Sequence, residues 1–405
     1  MQGLVPTHRL GISQILCYGL LFYIIAPFKS HISEASQLPE TIILSLLSVT
    51  MLIQAFFMPY FGHACDKYGG LFVMAIGFFT GAIGIILLGH TNIIIATDTA
   101  SLPLANSLWV SFCFLLITLG LGMACYDSAF NAVVQLDEVN ARRHILQITI
   151  YGAVASTIAW LTLIPLLSVI GFYKTTWVVS AILMATSLSL WRMAQNRADL
   201  TVKKARDLAP FSMRHLTKEE RQSLLCISAS GGLEYILFSA TTLLWISWFE
   251  SRFDDVATAV LLASLYGVFQ LVGRLLEMSV GRHVDARITS LIAFVLVPTS
   301  LYLMSVPLLW FAIIAMMLNG IGHGVLTVNF GFVTNLYFRA EVYGRAKGWT
   351  ALSRMLGTAI GPMLGGWIFA LHQNSFMTIM MILAILPAIP FVFLLKIRPL
   401  NDIHR

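Results

Sequence analysis

Long apolar stretches separated by short polar ones dominate this 405-residue chain. A helix that crosses a membrane needs about 20 mostly apolar residues, and twelve stretches meet that requirement. They are numbered as helices 1 to 12 and cover residues 10–27, 41–62, 71–90, 108–134, 145–170, 174–194, 222–248, 257–280, 289–305, 307–335, 348–371 and 376–395. The pattern predicts an all-α membrane protein with twelve transmembrane helices and no separate soluble domain.

The basic residues predict the orientation of these helices. Lys and Arg collect in cytoplasmic loops, and most of the 25 in this chain lie on one side if the N-terminus is cytoplasmic. Both termini are then predicted to be cytoplasmic. The longest polar stretch, 195–221, is interpreted as a linker between two six-helix bundles, 1–194 and 222–405. Its basic residues favour a solvated cytoplasmic loop over a site for nucleic acid or anionic lipid, and no nucleic-acid partner is predicted.

Composition supports the membrane assignment and narrows the function. The chain is 58% hydrophobic and 11% charged, whereas soluble domains are about 45–50% apolar and about 25% charged. Too few charged residues remain to cover a water-facing surface, which excludes a soluble enzyme or a disordered chain. The five cysteines have no metal-ligand spacing, and no nucleophile–base constellation or phosphate-binding loop is visible. We therefore predict neither enzymatic activity nor a cofactor.

Two segments at equivalent points of the two halves share a motif. Helix 2 ends in the sequence GHACDKYGG, which starts at Gly62, and helix 8 ends in GRHVDAR, which starts at Gly281. Both fit G-x-x-x-D followed within two residues by a base. Helices 4 and 10 also share a Gly-x-Gly motif, at Gly120 and Gly320. Parallel six-helix repeats are typical of one large transporter architecture.

The repeat and its loop motif resemble the major facilitator superfamily along the whole chain. The superfamily signature after helix 2 is G-x-x-x-D-[RK]-x-G-[RK], from which this chain departs at Gly70, where a base is usual. The resemblance implies two pseudo-symmetric six-helix bundles that move about a central site. It also implies that Asp66 lies against the start of helix 11 and Asp285 against helix 5. The residues assigned to gating in this way are Gly62, Asp66, Lys67, Gly281, Asp285 and Arg287.

Five ionisable residues lie inside the predicted helices: Asp127, Glu234, Arg274, Glu277 and Arg354. Such residues are costly in a membrane and usually serve a function. Arg274 precedes Gly281 by seven residues and Arg354 follows Gly348 by six, so each lies about 10 Å from a helix end. Two guanidinium groups at one depth suit a dianion, or one anion and a gate partner, because guanidinium binds carboxylate through two parallel hydrogen bonds.

This arginine pair resembles the oxalate/formate antiporter branch of the superfamily, in which basic residues of helices 8 and 11 bind substrate carboxylates. The sequence Gln270-x-x-x-Arg274 also resembles the monocarboxylate porters, which have Asp where this chain has Gln270. The resemblance implies substrate contacts for Arg274, Arg354 and Gln270. Two alternatives remain open: Arg274 pairs with Glu277, and Arg354 pairs with a carboxylate or with the helix ends of the cytoplasmic gate.

The carboxyl groups of helices 4 and 7 are candidates for proton coupling. Glu234 lies near the middle of helix 7 and either carries a proton or forms a hydrogen bond to a neighbouring helix. Asp127 is a second protonatable group or a salt-bridge partner for an arginine. Tyr18 and Tyr235 are expected to line the site, whereas His323 is interpreted as a packed residue.

These observations predict a secondary transporter of a small anionic organic solute of the carboxylate class, for example a carboxylate siderophore. Transport is expected to be coupled to protons or to exchange. The alternative is a proton-coupled exporter of amphipathic or cationic compounds. We expect a monomer in the lipid bilayer of a bacterial inner membrane, with a small-molecule substrate and protons as its partners.

Overall fold

The computed structural model describes residues 6–91, 103–136, 141–196, 216–279, 284–338 and 340–400. Throughout these ranges the regular secondary structure is helical. The chain forms two compact units, Met1–Asp207 and Leu208–Arg405. Each unit is described by itself.

The first unit contains helices 1 to 6, and several of them are interrupted. Helix 1 starts as Thr7–Cys17, continues as the π-helical turn Tyr18–Phe22 and ends as Ile25–Ser36. Helices 2 and 3 are Glu40–Tyr68 and Gly70–Gly89. Helix 4 consists of Pro103–Ala124 and Tyr126–Leu136. Helix 5 consists of Ala141–Ala153 and the part of Ala155–Gln195 before Gly171, and helix 6 is the part after Gly171.

The second unit contains helices 7 to 12. Helix 7 consists of Lys218–Thr242 and Trp245–Phe253. Helices 8 to 11 are Val256–Ser279, Ala286–Met304, Leu309–Tyr337 and Ala340–Leu371. Helix 12 follows a short 3₁₀ turn and consists of Phe376–Leu383 and Ala388–Leu395.

The predicted twelve helices can be placed on these segments. In the described part of the chain, ten helical stretches are long and apolar enough to cross a membrane. One of them, Gln147–Gln195, contains most of helix 5 and all of helix 6. The boundary between these two helices is Gly171, whose backbone dihedral angles are not helical. Helix 11 begins at Ala340 rather than at the predicted Gly348. Because helix 11 starts earlier than predicted, Arg354 lies farther from its start. The predicted distance of about 10 Å between Arg354 and the start of helix 11 was wrong.

The internal repeat is visible in the packing of each unit. In the first unit, helix 1 packs on 5, 2 on 4, 3 on 4, and 3 on 6; in the second, helix 7 packs on 11, 8 on 10, 9 on 10, and 9 on 12. Helix 1 breaks at Tyr23–Ile24 and helix 7 at Leu243–Leu244. Both helices then end in a left-handed residue, Gln37 or Asp254. The two halves thus share a topology and a local irregularity.

Glycines bring helices 7 and 11 into backbone contact. A Cβ atom on Gly361 would lie 2.5 Å from the carbonyl oxygen of Ile236 and 2.8 Å from the backbone nitrogen of Ala240. A Cβ atom on Gly365 would lie 2.8 Å from the carbonyl oxygen of Ala240. Glycines four residues apart share one helix face, and small residues on such a face allow transmembrane helices to approach closely. These contacts fix helix 11 against the part of helix 7 that carries Glu234.

We expect Gly171→Ala to destabilise the first unit by about 1–3 kcal/mol, because only glycine readily adopts its backbone conformation. Gly171 has φ 78° and ψ 168°. No atom lies within 4 Å of a Cβ atom placed there, so the cost is conformational rather than steric. Thermal unfolding of the detergent-purified protein measures the effect. Gly62→Ala is the control, since Gly62 is helical and also has open space at its Cβ position; equal melting temperatures for the two variants would contradict the prediction.

Candidate functional site

A buried acid–base pair joins helix 7 to helix 10. His323 Nδ1 lies 2.7 Å from Glu234 Oε1, and the side chains are only 5% and 2% exposed. The rings of Phe238 and Tyr266 surround the imidazole, with centroids 5.7 and 5.9 Å away. The contact is at ion-pair distance without hydrogen-bond geometry, and in the described part of the chain His323 Nε2 and both carboxylate oxygens of Glu234 have no hydrogen-bond partner. The pair can therefore hold a proton in an apolar setting, where an isolated charge is costly.

The position of His323 is set by close packing of helices 8 and 10. A Cβ atom on Gly320 would lie 2.7 Å from the carbonyl oxygen of Tyr266 and 2.9 Å from the backbone nitrogen of Gln270. A Cβ atom on Gly324 would lie 3.1 Å from the backbone nitrogen of Arg274. Glycines on both sides of His323 thus keep helix 10 against helix 8.

Arg354 lies among aromatic rings on helices 7 and 10. Its guanidinium carbon is 5.8 Å from the ring centroid of Tyr235 and 5.9 Å from that of Phe330. The arginine is half-buried. Its methylene groups pack over Gly231, where a Cβ atom would lie 3.1 Å from Arg354 Cγ. Gly231 therefore leaves the room that allows the guanidinium to reach the two rings.

The polar residues of helix 8 are buried and form local contacts. Arg274 is 4% exposed. The amide group of Gln270 donates a 3.0 Å hydrogen bond to the hydroxyl group of Tyr266, which is the ring beside His323. Gln270 thus helps to orient the aromatic wall of the acid–base pair.

Glu277 has a hydroxyl partner on helix 9. Thr289 Oγ1 donates a 2.9 Å hydrogen bond to Glu277 Oε1, and Asn329 Nδ2 donates a 2.7 Å bond to Thr289 Oγ1. These hydrogen bonds link helices 8, 9 and 10 near the N-terminal end of helix 9, which Asp285 caps. No pattern in the sequence indicated that these three residues would meet.

The first unit presents a half-buried aromatic cluster. Tyr18 is the first residue of the π-helical turn, and its ring centroid lies 4.9 Å from that of Tyr126. Tyr126 stacks on Phe130 at 5.3 Å. Asp127, the adjacent residue, is exposed within its unit. π-helical turns are often found at functional sites, which fits the predicted location of Tyr18.

The predicted gating residues are partly described. Gly281 and the side chain of Asp66 lie outside the described residues. Lys67 is exposed, and its Nζ atom lies 5.0 Å from the ring centroid of Tyr68. Asp285 caps helix 9 by accepting a 2.9 Å bond from the backbone N–H of Arg287, and it also accepts a 2.8 Å bond from Arg287 Nε. The gating roles of these residues stay predictions.

Sequence reasoning missed the partner of Glu234. It treated His323 as a packed side chain, whereas the structure pairs it with the carboxyl group of Glu234. The available signal was the sequence Gly322-His323-Gly324, which places an ionisable residue between small ones in an apolar helix. Pairing, however, depends on which helices are neighbours, and the apolar pattern does not encode that information.

Comparison with known proteins places this arrangement in a family. A family model described as Major Facilitator Superfamily matches residues 12–284, and no curated protein matches the sequence. Among solved structures, the nucleoside transporter NupG is similar at a TM-score of 0.67 and 15% identity, over 96% of this chain and 98% of that one. A bacterial homologue of the human lysosomal transporter Spinster is also similar, at a TM-score of 0.67 and 12% identity, over 96% of each chain. At these identities the likeness shows the fold.

Proposed function

Because the chain belongs to the major facilitator superfamily, a superfamily of multi-pass membrane transporters, we propose that it carries a small organic anion of the carboxylate class by alternating access. The observation that carries this proposal is the guanidinium group of Arg354 beside the rings of Tyr235 and Phe330. Coupling to protons through Glu234, a monomeric state and a bacterial inner membrane belong to the same proposal.

The surroundings of Arg354 favour an anion. Among the described residues of its unit, no carboxylate lies within ion-pair distance of its guanidinium, and the contacts of that group are with aromatic rings. A charged group inside a membrane protein normally has a partner or faces a cavity. Guanidinium stacks on aromatic faces while its in-plane N–H groups remain available to bind carboxylate. A solute carboxylate therefore supplies a negative charge in direct contact with the guanidinium, which no described carboxylate of the unit does.

The aromatic rings and the second arginine limit the kind of anion. Tyr235 and Phe330 offer apolar faces to the body of the solute, next to the charge at Arg354. Arg274, on helix 8 of the same unit, is the candidate for a second acidic group. These features support organic acids with an apolar or aromatic body over small inorganic anions.

The test is thermal stabilisation of the detergent-purified protein by carboxylates, amines, nucleosides and neutral solutes, run beside Arg274→Ala. A ligand that binds only the folded state raises the melting temperature. We expect a rise with one or more organic acids, and a smaller rise for a diacid when Arg274 is replaced. Stabilisation by amines or lipophilic cations alone would overturn the proposal in favour of an exporter of cationic compounds.

A further inference from the structure

Among the side chains that the structure describes, those in the middle of helices 7 to 12 carry charges that nearly cancel. Helix 8 carries Arg274 and Glu277, three residues apart and of opposite sign. Helix 11 contributes the positive charge of Arg354, and helices 7 and 10 contribute Glu234 and His323. Helix 12, which also packs on helix 7, has no charged residue between Phe376 and Leu395. The net charge of this interior therefore depends on whether the Glu234–His323 pair holds a proton.

Two protonation states of the pair have opposite consequences for Arg354. With one proton, the pair is neutral in total, either as carboxylate and imidazolium or as carboxylic acid and imidazole, and Arg354 remains as an uncompensated positive charge. Without that proton, carboxylate and neutral imidazole together carry one negative charge, which balances Arg354. Because an unbalanced charge is costly in a medium of low dielectric constant, the first state favours a bound anion and the second disfavours it.

Helix 7 places the proton site and the anion site side by side. Glu234, which contacts His323, is followed directly by Tyr235, whose ring lies beside Arg354. Phe238, one turn further along, is near both sites, since its ring centroid lies 5.7 Å from those of His323 and of Tyr235. A change of charge at Glu234 thus occurs one residue away from a wall of the anion site.

We propose that Glu234 and His323 together hold one coupling proton, and that this proton and one negative charge of the solute bind and leave together. The inference rests on the proposed function for its anion and on the buried pair for its proton. The proton resides on Glu234 or on His323, whose Oε1 and Nδ1 atoms lie 2.7 Å apart, and its release leaves a carboxylate beside a neutral imidazole. Transport of a monocarboxylate then moves no net charge, and a membrane potential imposed on proteoliposomes leaves its uptake unchanged.

The proton site is tested without any solute. Infrared difference spectra of the ligand-free, purified protein between stepped pH values report the C=O stretch of a protonated carboxyl group and the ring bands of an imidazolium. We expect one titrating band, of either kind, that is lost when the residue carrying the proton is replaced, in Glu234→Gln or His323→Gln, and that shifts in its pH dependence when the partner residue is replaced. Glu250→Gln, an exposed carboxyl on the same helix, and His90→Gln, a histidine of the first unit, are matched controls that retain this band. Absence of any titrating band assignable to Glu234 or His323, or indifference of that band to replacement of the partner residue, would overturn the shared proton.

The coupling between proton binding and anion binding is tested with organic acids that raise the melting temperature of the protein. Benzoate and acetate are the first probes. If one proton accompanies each monoanion, the apparent Kd rises about tenfold per pH unit on the alkaline side of the titration. In Glu234→Gln we expect binding to persist with a flat pH dependence, while Glu250→Gln keeps the wild-type slope. An unchanged slope in Glu234→Gln refutes the coupling.

The two proposals fail in distinguishable ways. If no organic acid binds while a band of Glu234 or His323 titrates and responds to its partner, the anion proposal and its coupling are wrong and the shared proton is supported. If acids bind but no band of Glu234 or His323 titrates, the proposed function is supported and the shared proton is wrong.

Discussion

Replacing Arg354 with alanine is expected to weaken binding of the anionic solute about ten- to a hundredfold. A hydrogen bond to a charged group contributes roughly 1.5–3 kcal/mol, and in the described part of the unit Arg354 is the cation that contacts both Tyr235 and Phe330. Arg354→Lys keeps the charge but loses the two parallel hydrogen bonds, so an intermediate affinity is expected. The measurement is the concentration dependence of the melting-temperature shift.

Arg252→Ala is the matched control for this variant. Arg252 also lies over an aromatic ring, with its guanidinium carbon 4.6 Å from the ring centroid of Trp248. It lies near the end of the second segment of helix 7, whereas Glu234 lies in the first segment. Its removal should leave affinity unchanged. Equal affinities of Arg354→Ala and the wild type would remove the basis for the anion site.

Gly361→Val is expected to cause a large loss of stability in the second unit. Its Cβ atom would enter the space occupied by the carbonyl oxygen of Ile236 and the backbone nitrogen of Ala240. Overpacking of this kind typically costs about 1–3 kcal/mol, and occasionally more. Because both opposing atoms belong to the backbone of helix 7, side-chain rotation does not relieve the clash. Helix 11 must then move away from helix 7, which also separates Arg354 from Tyr235.

The measurement combines the yield of monodisperse protein with its melting temperature. Gly62→Ala serves as the control, because no atom lies within 4 Å of a Cβ atom at that position. We expect a strong loss of both quantities for Gly361→Val and none for Gly62→Ala. A melting temperature of Gly361→Val equal to that of the wild type would contradict the backbone contact between the two helices.

Hydropathy predicted the helices well because the membrane imposes a length and an apolar surface on each one. It placed the helix ends less well, as the start of helix 11 at Ala340 shows, since a helix continues beyond the bilayer wherever its backbone can hydrogen-bond. The breaks of helices 1 and 7 were also missed. In helix 1 the break at Tyr23 has a local cause, because Pro27, four residues later, cannot donate a backbone hydrogen bond to the carbonyl oxygen of Tyr23. In helix 7 the hydroxyl groups of Thr241 and Thr242, just before the break, donate to the carbonyl oxygens four residues earlier, an arrangement that bends helices.

For the candidate site, the sequence identified single residues better than their contacts. Ionisable residues in apolar helices are conspicuous, and Glu234 and Arg354 were found for that reason. Their partners were not found, because the apolar pattern does not show that His323 and Phe330 of helix 10 face helices 7 and 11. The contacts depend on glycines, which have no side chain and therefore allow particular helix faces to approach closely. A hydropathy pattern does not show which glycines have this role.

The backbone contact between helices 7 and 11 involves residues other than those proposed to select the solute. Gly361 and Gly365 hold the two helices together without contributing any side chain to the rings around Arg354. Tyr235 and Phe330 can therefore be exchanged for other residues while the helices keep their positions. On the proposed function, substitutions at these two positions change which solute is bound, while the glycine contacts between helices 7 and 11 stay in place.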